Sequence, residues 1–159
     1  MADTILDIER RLELAAVELL KAYSILTALT TVARVVIRRD TSHVVDYPCA
    51  AVQVINAAEF GNRTGWYRCA LQLSAMTYRE DDKSRDKLKQ IAGTLRSWGQ
   101  QTDLPAQIDA TVSAKAVATK LNVRDAWLEG GSFDASEDKI QEVVITLAVM
   151  ARCSQATTT

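Results

Sequence analysis

Histidine is almost missing from this sequence, in which His43 is the single example among 159 residues. A Cys–His nucleophile needs the thiolate and the imidazole within hydrogen-bond reach, and a third group that orients the base. Cys49 is close to His43 in sequence, but no nucleophile elbow and no glycine-rich motif accompanies them. We therefore interpret His43 as a surface side chain and predict that the chain is not an enzyme. A small cysteine-dependent enzyme that uses Cys49 or Cys69 remains the alternative from a different class.

Cysteine clusters and ligand-binding motifs are also lacking. The three cysteines are an odd number without close pairing, which argues against a disulfide framework and against a zinc site. The acidic groups at Asp81–Asp82 and at 134–138 do not have the spacing of a calcium loop. Gly130–Gly131 is not followed by the Lys-Ser/Thr pair of a phosphate-binding loop. We expect no metal and no cofactor.

Long apolar runs are absent, and so is a global excess of charge. No run approaches the ~20 apolar residues that a membrane-spanning helix needs, and the N-terminus lacks the apolar core of a signal peptide. The net charge is -1, so no basic field draws the chain to nucleic acid. We expect a protein that is made in the cytoplasm and binds no membrane.

The charge is nevertheless uneven along the chain. Residues 79–99 carry six basic and four acidic side chains, whereas residues 121–142 carry six acidic and two basic ones. This asymmetry suits head-to-tail contact between copies, and it also suits two solvated faces. A nucleic-acid surface is a further alternative, on four basic residues of one segment: Lys83, Arg85, Lys87 and Lys89.

Apolar residues at steps of three and four predict helices in three segments. The first runs from residue 4 to about residue 28 as one long helix, with Glu13 on its polar face. The second runs from Lys83 to Trp98, and Gly99 is expected to end it at the C′ position. A short helix is predicted over 104–114, with Pro105 near its first position.

β-Branched and alternating segments predict strands at 33–39, 49–56, 66–78, 121–128 and 139–152. Residues 49–56 and 66–78 are expected to pair as a long antiparallel hairpin, and Gly130–Ser132 to form a flexible turn. The predicted fold class is α+β, with an antiparallel or mixed sheet and helices packed on one face. One domain is expected over residues 1–153, followed by a mobile tail over 154–159.

The three tryptophans differ in their predicted roles. Trp98 ends an apolar helical stripe and is predicted in the core, and Trp127 is assigned to the core rather than to a contact. Trp66 begins a strand on its wetter face, where a large aromatic side chain is a candidate for a subunit interface. The candidate contacts for assembly lie at the two ends of this strand: Phe60, Arg63, Trp66, Arg79 and Glu80.

The order of elements and several short signatures resemble the tail terminator, or tail completion, proteins of long-tailed bacteriophages and prophages. The resemblance spans residues 4 to 153. It includes the N-terminal helix, the Tyr47–Pro48 entry to a strand, the Gly65–Tyr67 start of the next strand, the Asp81–Asp82 turn into a helix, and a closing strand of the type Glu142–Ala151.

The resemblance implies a structural protein of the virion, located at the head-proximal end of the tail and made in the host bacterial cytoplasm. It implies that copies of this chain form a ring, which is expected to be a hexamer. The ring would cap the tube built from the tail tube protein, end its polymerisation and present a surface to the head–tail connector. DNA is expected to pass the lumen without being held. Another head–tail joining or neck protein of the virion is the alternative within this class.

Overall fold

The computed structural model describes residues 5–30, 34–37, 48–59, 65–78, 82–113, 119–137 and 140–155. Four helices and five strands follow one another along these segments. In chain order they are α1 (Ile5–Lys21), α2 (Ser24–Thr30), β1 (Val35–Ile37), β2 (Cys49–Glu59), β3 (Trp66–Tyr78), α3 (Asp82–Gly99), α4 (Leu104–Ser113), β4 (Thr119–Glu137) and β5 (Ile140–Gln155). The predicted α+β class is confirmed.

The five strands form one mixed sheet in the order β1-β2-β3-β5-β4. β1 pairs with β2 in parallel, and the other neighbouring strands pair antiparallel. The predicted hairpin of β2 and β3 is therefore confirmed. α1 packs on β1 and β2, α3 on β3 and β5, and α4 on β4, and their apolar side chains share one core with the same face of the sheet. The opposite face, which no described helix covers, is called the helix-free face below.

β3 shows why this segment could be predicted from its alternation. Cys69, Leu71, Leu73 and Ala75 are buried in the main core, as expected for one face of a strand. The other face is not uniformly wet, which the sequence did not indicate. At one end of β3, Met76 is buried with Cys49 and Ala51 of β2 in a second, smaller cluster. Among the described residues, this cluster covers one end of the helix-free face, and the exposed side chains of Arg68 and Arg152 lie at the other, Trp66 end.

The single helix predicted over 4–28 is wrong, because the structure divides this segment into α1 and α2. The Tyr23 N–H donates to the Leu20 carbonyl at 3.1 Å, which tightens the last turn of α1. The Tyr23 carbonyl then accepts from Leu26 at 3.0 Å and begins α2. Ser24 favours caps and turns over helix interiors, and Tyr23 packs against the core. Both effects support a break at this point.

Glu13 was expected on the polar face of α1 but is 2% exposed. Its Oε2 accepts a hydrogen bond of 3.0 Å from the Val54 N–H of β2. The pairing of β2 with β3 shifts between Val54 and Asn56, so Ile55 is an extra, bulged residue, and it is 48% exposed. A carboxylate from α1 thus satisfies a backbone donor where the ladder is irregular.

β4 contains the same device. Its pairing with β5 shifts between Val123 and Asp125, and Oδ1 of Asp109 in α4 accepts from the Val123 N–H at 2.8 Å. The bulged residue is Arg124, which is exposed. In each case an acidic side chain on a helix fixes a bulge in the strand beneath it.

The turn predicted at Gly130–Ser132 is also wrong. β4 continues through these residues to Glu137, and the register shift between Leu128 and Ser132 places them in a second bulge. Glycine adopts bulge geometry readily, so the same residues that suggest a turn can lengthen a strand. β5 likewise extends to Gln155, which pairs with Thr119, so the predicted mobile tail begins inside a strand. Residues 156–159 lie outside the described residues.

Two glycines are required by close approaches. Gly65 has a φ of 73°, and a Cβ at this position would lie 2.6 Å from the carbonyl oxygen of Cys153. Gly99 was expected at the C′ position, just beyond its helix, but it is the last residue of α3. Its Cβ would lie 2.7 Å from Cδ2 of Leu128, so packing against β4 explains this glycine better than backbone conformation does.

Candidate interaction surface

Trp66 is the one predicted contact residue that the structure describes. Phe60, Arg63, Arg79 and Glu80 lie outside the described residues, as does His43. Trp66 begins β3 on the helix-free face, and its ring is half-buried.

Trp66 is held by an arginine of the neighbouring strand. The register of the sheet places Arg152 of β5 opposite Trp66, and the guanidinium carbon lies 5.8 Å from the centroid of the indole ring. A guanidinium at this distance is attracted by the negative face of the ring, with about 0.5–1 kcal/mol at an exposed site. Arg152 itself remains exposed, so the pair is a partly ordered feature of the surface.

Trp127 makes a second pair of the same kind. It lies on β4 opposite Ala148 of β5, and the guanidinium carbon of Arg68 is 5.7 Å from its ring centroid. Arg68 also forms an ion pair with Glu129. The prediction that Trp127 belongs to the core is wrong, because the bulge at Arg124 shifts the alternation of β4 by one residue.

The two pairs and their neighbours form one continuous area at the open end of the helix-free face. We call it the Trp–Arg surface and define it by seven residues: Trp66, Arg68, Asp125, Trp127, Glu129, Met150 and Arg152. Tryptophan, arginine and methionine are enriched at protein–protein interfaces, and tryptophan and arginine dominate their energetic centres. Two cations and two anions balance within the surface, so it has little net charge to attract a polyanion.

A groove between α2 and α3 is a second notable surface, on the helical side of the sheet. Its volume is about 400 Å³. Its lining residues come from the two helices and the turn between α1 and α2: Tyr23, Ile25, Leu29, Lys89, Gln90, Gly93, Thr94 and Ser97. Ile25 has 57% of its surface exposed.

The described cysteines are poorly placed for nucleophilic chemistry. Cys49 and Cys69 have no exposed surface, and Cys153 is half-buried. Burial, and to a smaller extent the charge of Glu9, raises the pKa of the Cys69 thiol to about 12. Because the thiolate is the reactive form, a thiol with this pKa is almost entirely inactive near neutral pH.

No group of three or more His, Cys, Asp or Glu side chains is placed to hold a metal ion among the residues that the structure describes. Within those residues, no helix combines the length and the apolar character needed to cross a membrane.

Relationships to other proteins do not add to this geometry. No protein-family model and no curated protein sequence matches the chain. The resemblance to tail terminators therefore stays a prediction from the sequence, and the surfaces described above carry the functional argument.

Proposed function

We propose that the chain is a structural subunit of the tail terminator type. In this proposal copies of the chain form a ring that caps the tail tube, ends its polymerisation and offers a surface for head attachment. The observation that carries it is the Trp–Arg surface on a sheet whose other face is covered by helices. The proposal places the chain in the virion, with the tail tube protein and the head–tail connector as its partners.

The layered fold supports a role in assembly. A sheet buries one face in a core, and a second face that exposes large aromatic side chains calls for another covering layer. On the helix-free face Trp66 and Trp127 are half-buried and each is already positioned by an arginine. Side chains that are ordered before binding lose less conformational entropy when a partner arrives. The surface therefore has the composition and the order of an interface centre.

The chemistry of the described residues supports the same reading. Cys69 is buried, and burial raises its pKa, which disfavours covalent catalysis. The groove between α2 and α3 is lined mainly by aliphatic, hydroxyl and amide side chains, with Lys89 as its charged member. General acid–base chemistry needs a positioned proton donor or acceptor whose pKa lies near the working pH. A binding role fits these surfaces better than a catalytic one.

The proposal is tested by measuring the mass and shape of assemblies formed by the purified full chain. Sedimentation velocity over a wide range of concentration should show a species of about six copies, the number that the resemblance implies, and negative-stain images should show closed rings. The same protein, mixed with tail tubes of the virus that encodes it, should label one end of each tube and stop its growth.

Variants of the Trp–Arg surface sharpen this test. Trp66→Ala should weaken assembly or tube capping while the circular dichroism spectrum remains native. Ile55→Ala is a matched control, since Ile55 is an exposed apolar side chain of the same sheet that lies outside the Trp–Arg surface. A full chain that neither assembles nor binds tube ends would overturn the proposal. Binding to the head–tail connector without binding to tube ends would favour the alternative that the chain is a head–tail joining protein.

A further inference from the structure

The groove between α2 and α3 has an apolar wall on one side and, on the other, a polar wall that carries one cation. Tyr23, Ile25 and Leu29 form the apolar wall, and α3 contributes Lys89 on the other side. Lys89 is exposed, and so is Arg85 one turn earlier on the same helix. α2 has no charged residue, and α3 has five basic and two acidic ones. A ligand of this groove should therefore bring apolar surface together with negative charge.

β4 has the complementary composition. From Asp125 to Glu137 this strand carries four acidic residues and no basic one. Exposed Arg124 precedes this stretch and Glu129 is paired with Arg68, so Asp125 is the exposed acid through which the segment can meet a cation. β4 is the last strand of the sheet on its side, so its outer edge faces away from β5. Trp127 lies within the acidic stretch and supplies a large apolar side chain that is only half-buried. Asp125 is exposed beside it.

We propose that the α2–α3 groove of one copy receives the Asp125–Glu129 segment of β4 from the next copy. The inference rests on the proposed function, since it names the two surfaces that join neighbours in the ring. Trp127 packs against the apolar wall formed by α2, and Asp125 approaches Lys89. The occupant of the groove is thus a second copy of this chain.

The position of the two surfaces in the fold agrees with a ring. A contact between unlike surfaces of identical subunits repeats head to tail, and it produces a ring if the rotation between neighbours closes. The groove lies in the helical layer, whereas Trp127 projects from the helix-free face of an edge strand. The two surfaces lie in different layers of the subunit, so one copy can engage two neighbours at once.

Substitution of the groove is the first test, with sedimentation velocity of the full chain as the measurement. Ile25→Asp buries a carboxylate in the contact and should raise the dissociation constant of the assembly at least about tenfold. Ile55→Asp is the matched control, because Ile55 is the other strongly exposed isoleucine, with 48% of its surface accessible against 57% for Ile25. The control should assemble like the wild-type chain.

Exchange of charges is the second test. Lys89→Glu and Asp125→Lys should each weaken assembly about tenfold, because each places like charges opposite one another. The double variant in one chain restores an attractive pair at every contact and should assemble again. Glu18→Lys is the control for added charge, since Glu18 is an exposed acid of α1 outside both surfaces.

Mixing two variants provides a third test, which asks whether the contact joins two unlike surfaces. Ile25→Asp retains an intact β4, and Trp127→Ala retains an intact groove. Each variant alone should stay monomeric, at the monomer mass of 17.5 kDa, and an equimolar mixture should form one-to-one dimers that go no further. A two-fold contact in which groove and strand pair reciprocally would also give one-to-one dimers in the mixture, but its wild-type chain would stop at the dimer instead of forming a ring.

The outcomes separate this inference from the proposed function. Wild-type assembly that survives Ile25→Asp unchanged would overturn the inference while the ring proposal stands. A wild-type chain that neither assembles nor caps tubes would overturn both. If Lys89→Glu abolishes DNA binding and leaves assembly unaffected, the cations of α3 bind phosphate rather than a second copy. That result would also overturn the inference.

Discussion

Replacement of Gly65 by alanine is expected to destabilise the chain strongly. The φ of 73° places this residue in the left-handed region, where a side chain costs about 1–2 kcal/mol. The added Cβ would also lie 2.6 Å from the Cys153 carbonyl oxygen, which is backbone of the paired strand β5 and cannot rotate away. The Gly65 carbonyl also accepts a hydrogen bond of 2.7 Å from the Cys153 N–H, so the two backbone segments cannot move apart without breaking this bond.

Together these effects should lower the free energy of unfolding by about 3 kcal/mol, a substantial part of the 5–15 kcal/mol typical of a domain. Urea titration with linear extrapolation measures this difference. Gly93→Ala is the control, because Gly93 is a residue of α3 whose Cβ would meet nothing within 4 Å. That change should instead raise the free energy of unfolding by about 0.5–1 kcal/mol. A loss below about 1 kcal/mol for Gly65→Ala, or the same sign for both variants, would refute the reasoning.

Three further predictions concern buried polar groups and thiols. Glu13→Ala leaves the Val54 N–H buried without its acceptor and should lower the free energy of unfolding by about 1–3 kcal/mol in urea titration, whereas Glu13→Gln keeps an acceptor oxygen and should lose less. Because burial raises the pKa of Cys69, the unfolded chain releases the thiol proton at a lower pH than the folded chain does. The contribution of Cys69 to the free energy of unfolding should therefore be complete below pH of about 8.5 and should be lost as the pH rises towards 12. The urea midpoint of Cys69→Ala should decline less steeply at alkaline pH than that of the wild-type chain. In the native state Cys153 should react with a maleimide before Cys49 and Cys69, as mass spectrometry of timed samples would show, and faster labelling of a buried cysteine would revive the enzyme alternative.

The predictability of each strand followed the regularity of its alternation. β3 was predicted with its observed bounds, Trp66 to Tyr78, because its alternation runs unbroken. The strand prediction for 49–56 stopped short of Glu59, because the bulge at Ile55 reverses the face to which later residues point. A bulge is specified by contacts distant in sequence, such as the one from Glu13, and no local pattern shows it.

The candidate surface was accessible to sequence reasoning only in part. Trp66 could be placed on the wetter face of a strand from alternation alone. Its pairing with Arg152 depends on the register between strands separated by more than 60 residues, which alternation does not fix. Trp127 was assigned to the core because the bulge at Arg124, which changes the phase of the strand, was not foreseen, whereas β4 was predicted too short because Gly130–Ser132 suggested a turn.

The one-sided arrangement of the helices has a consequence for any assembly of this chain. A subunit with helices on one side and bare sheet on the other has no internal symmetry that would make its two sides equivalent. If contacts run from one layer to the other, every copy in the assembly points the same way, and the assembly as a whole acquires polarity. Such an object has two chemically different ends, each of which can be matched to a different neighbour by substitutions that leave the other end unaltered.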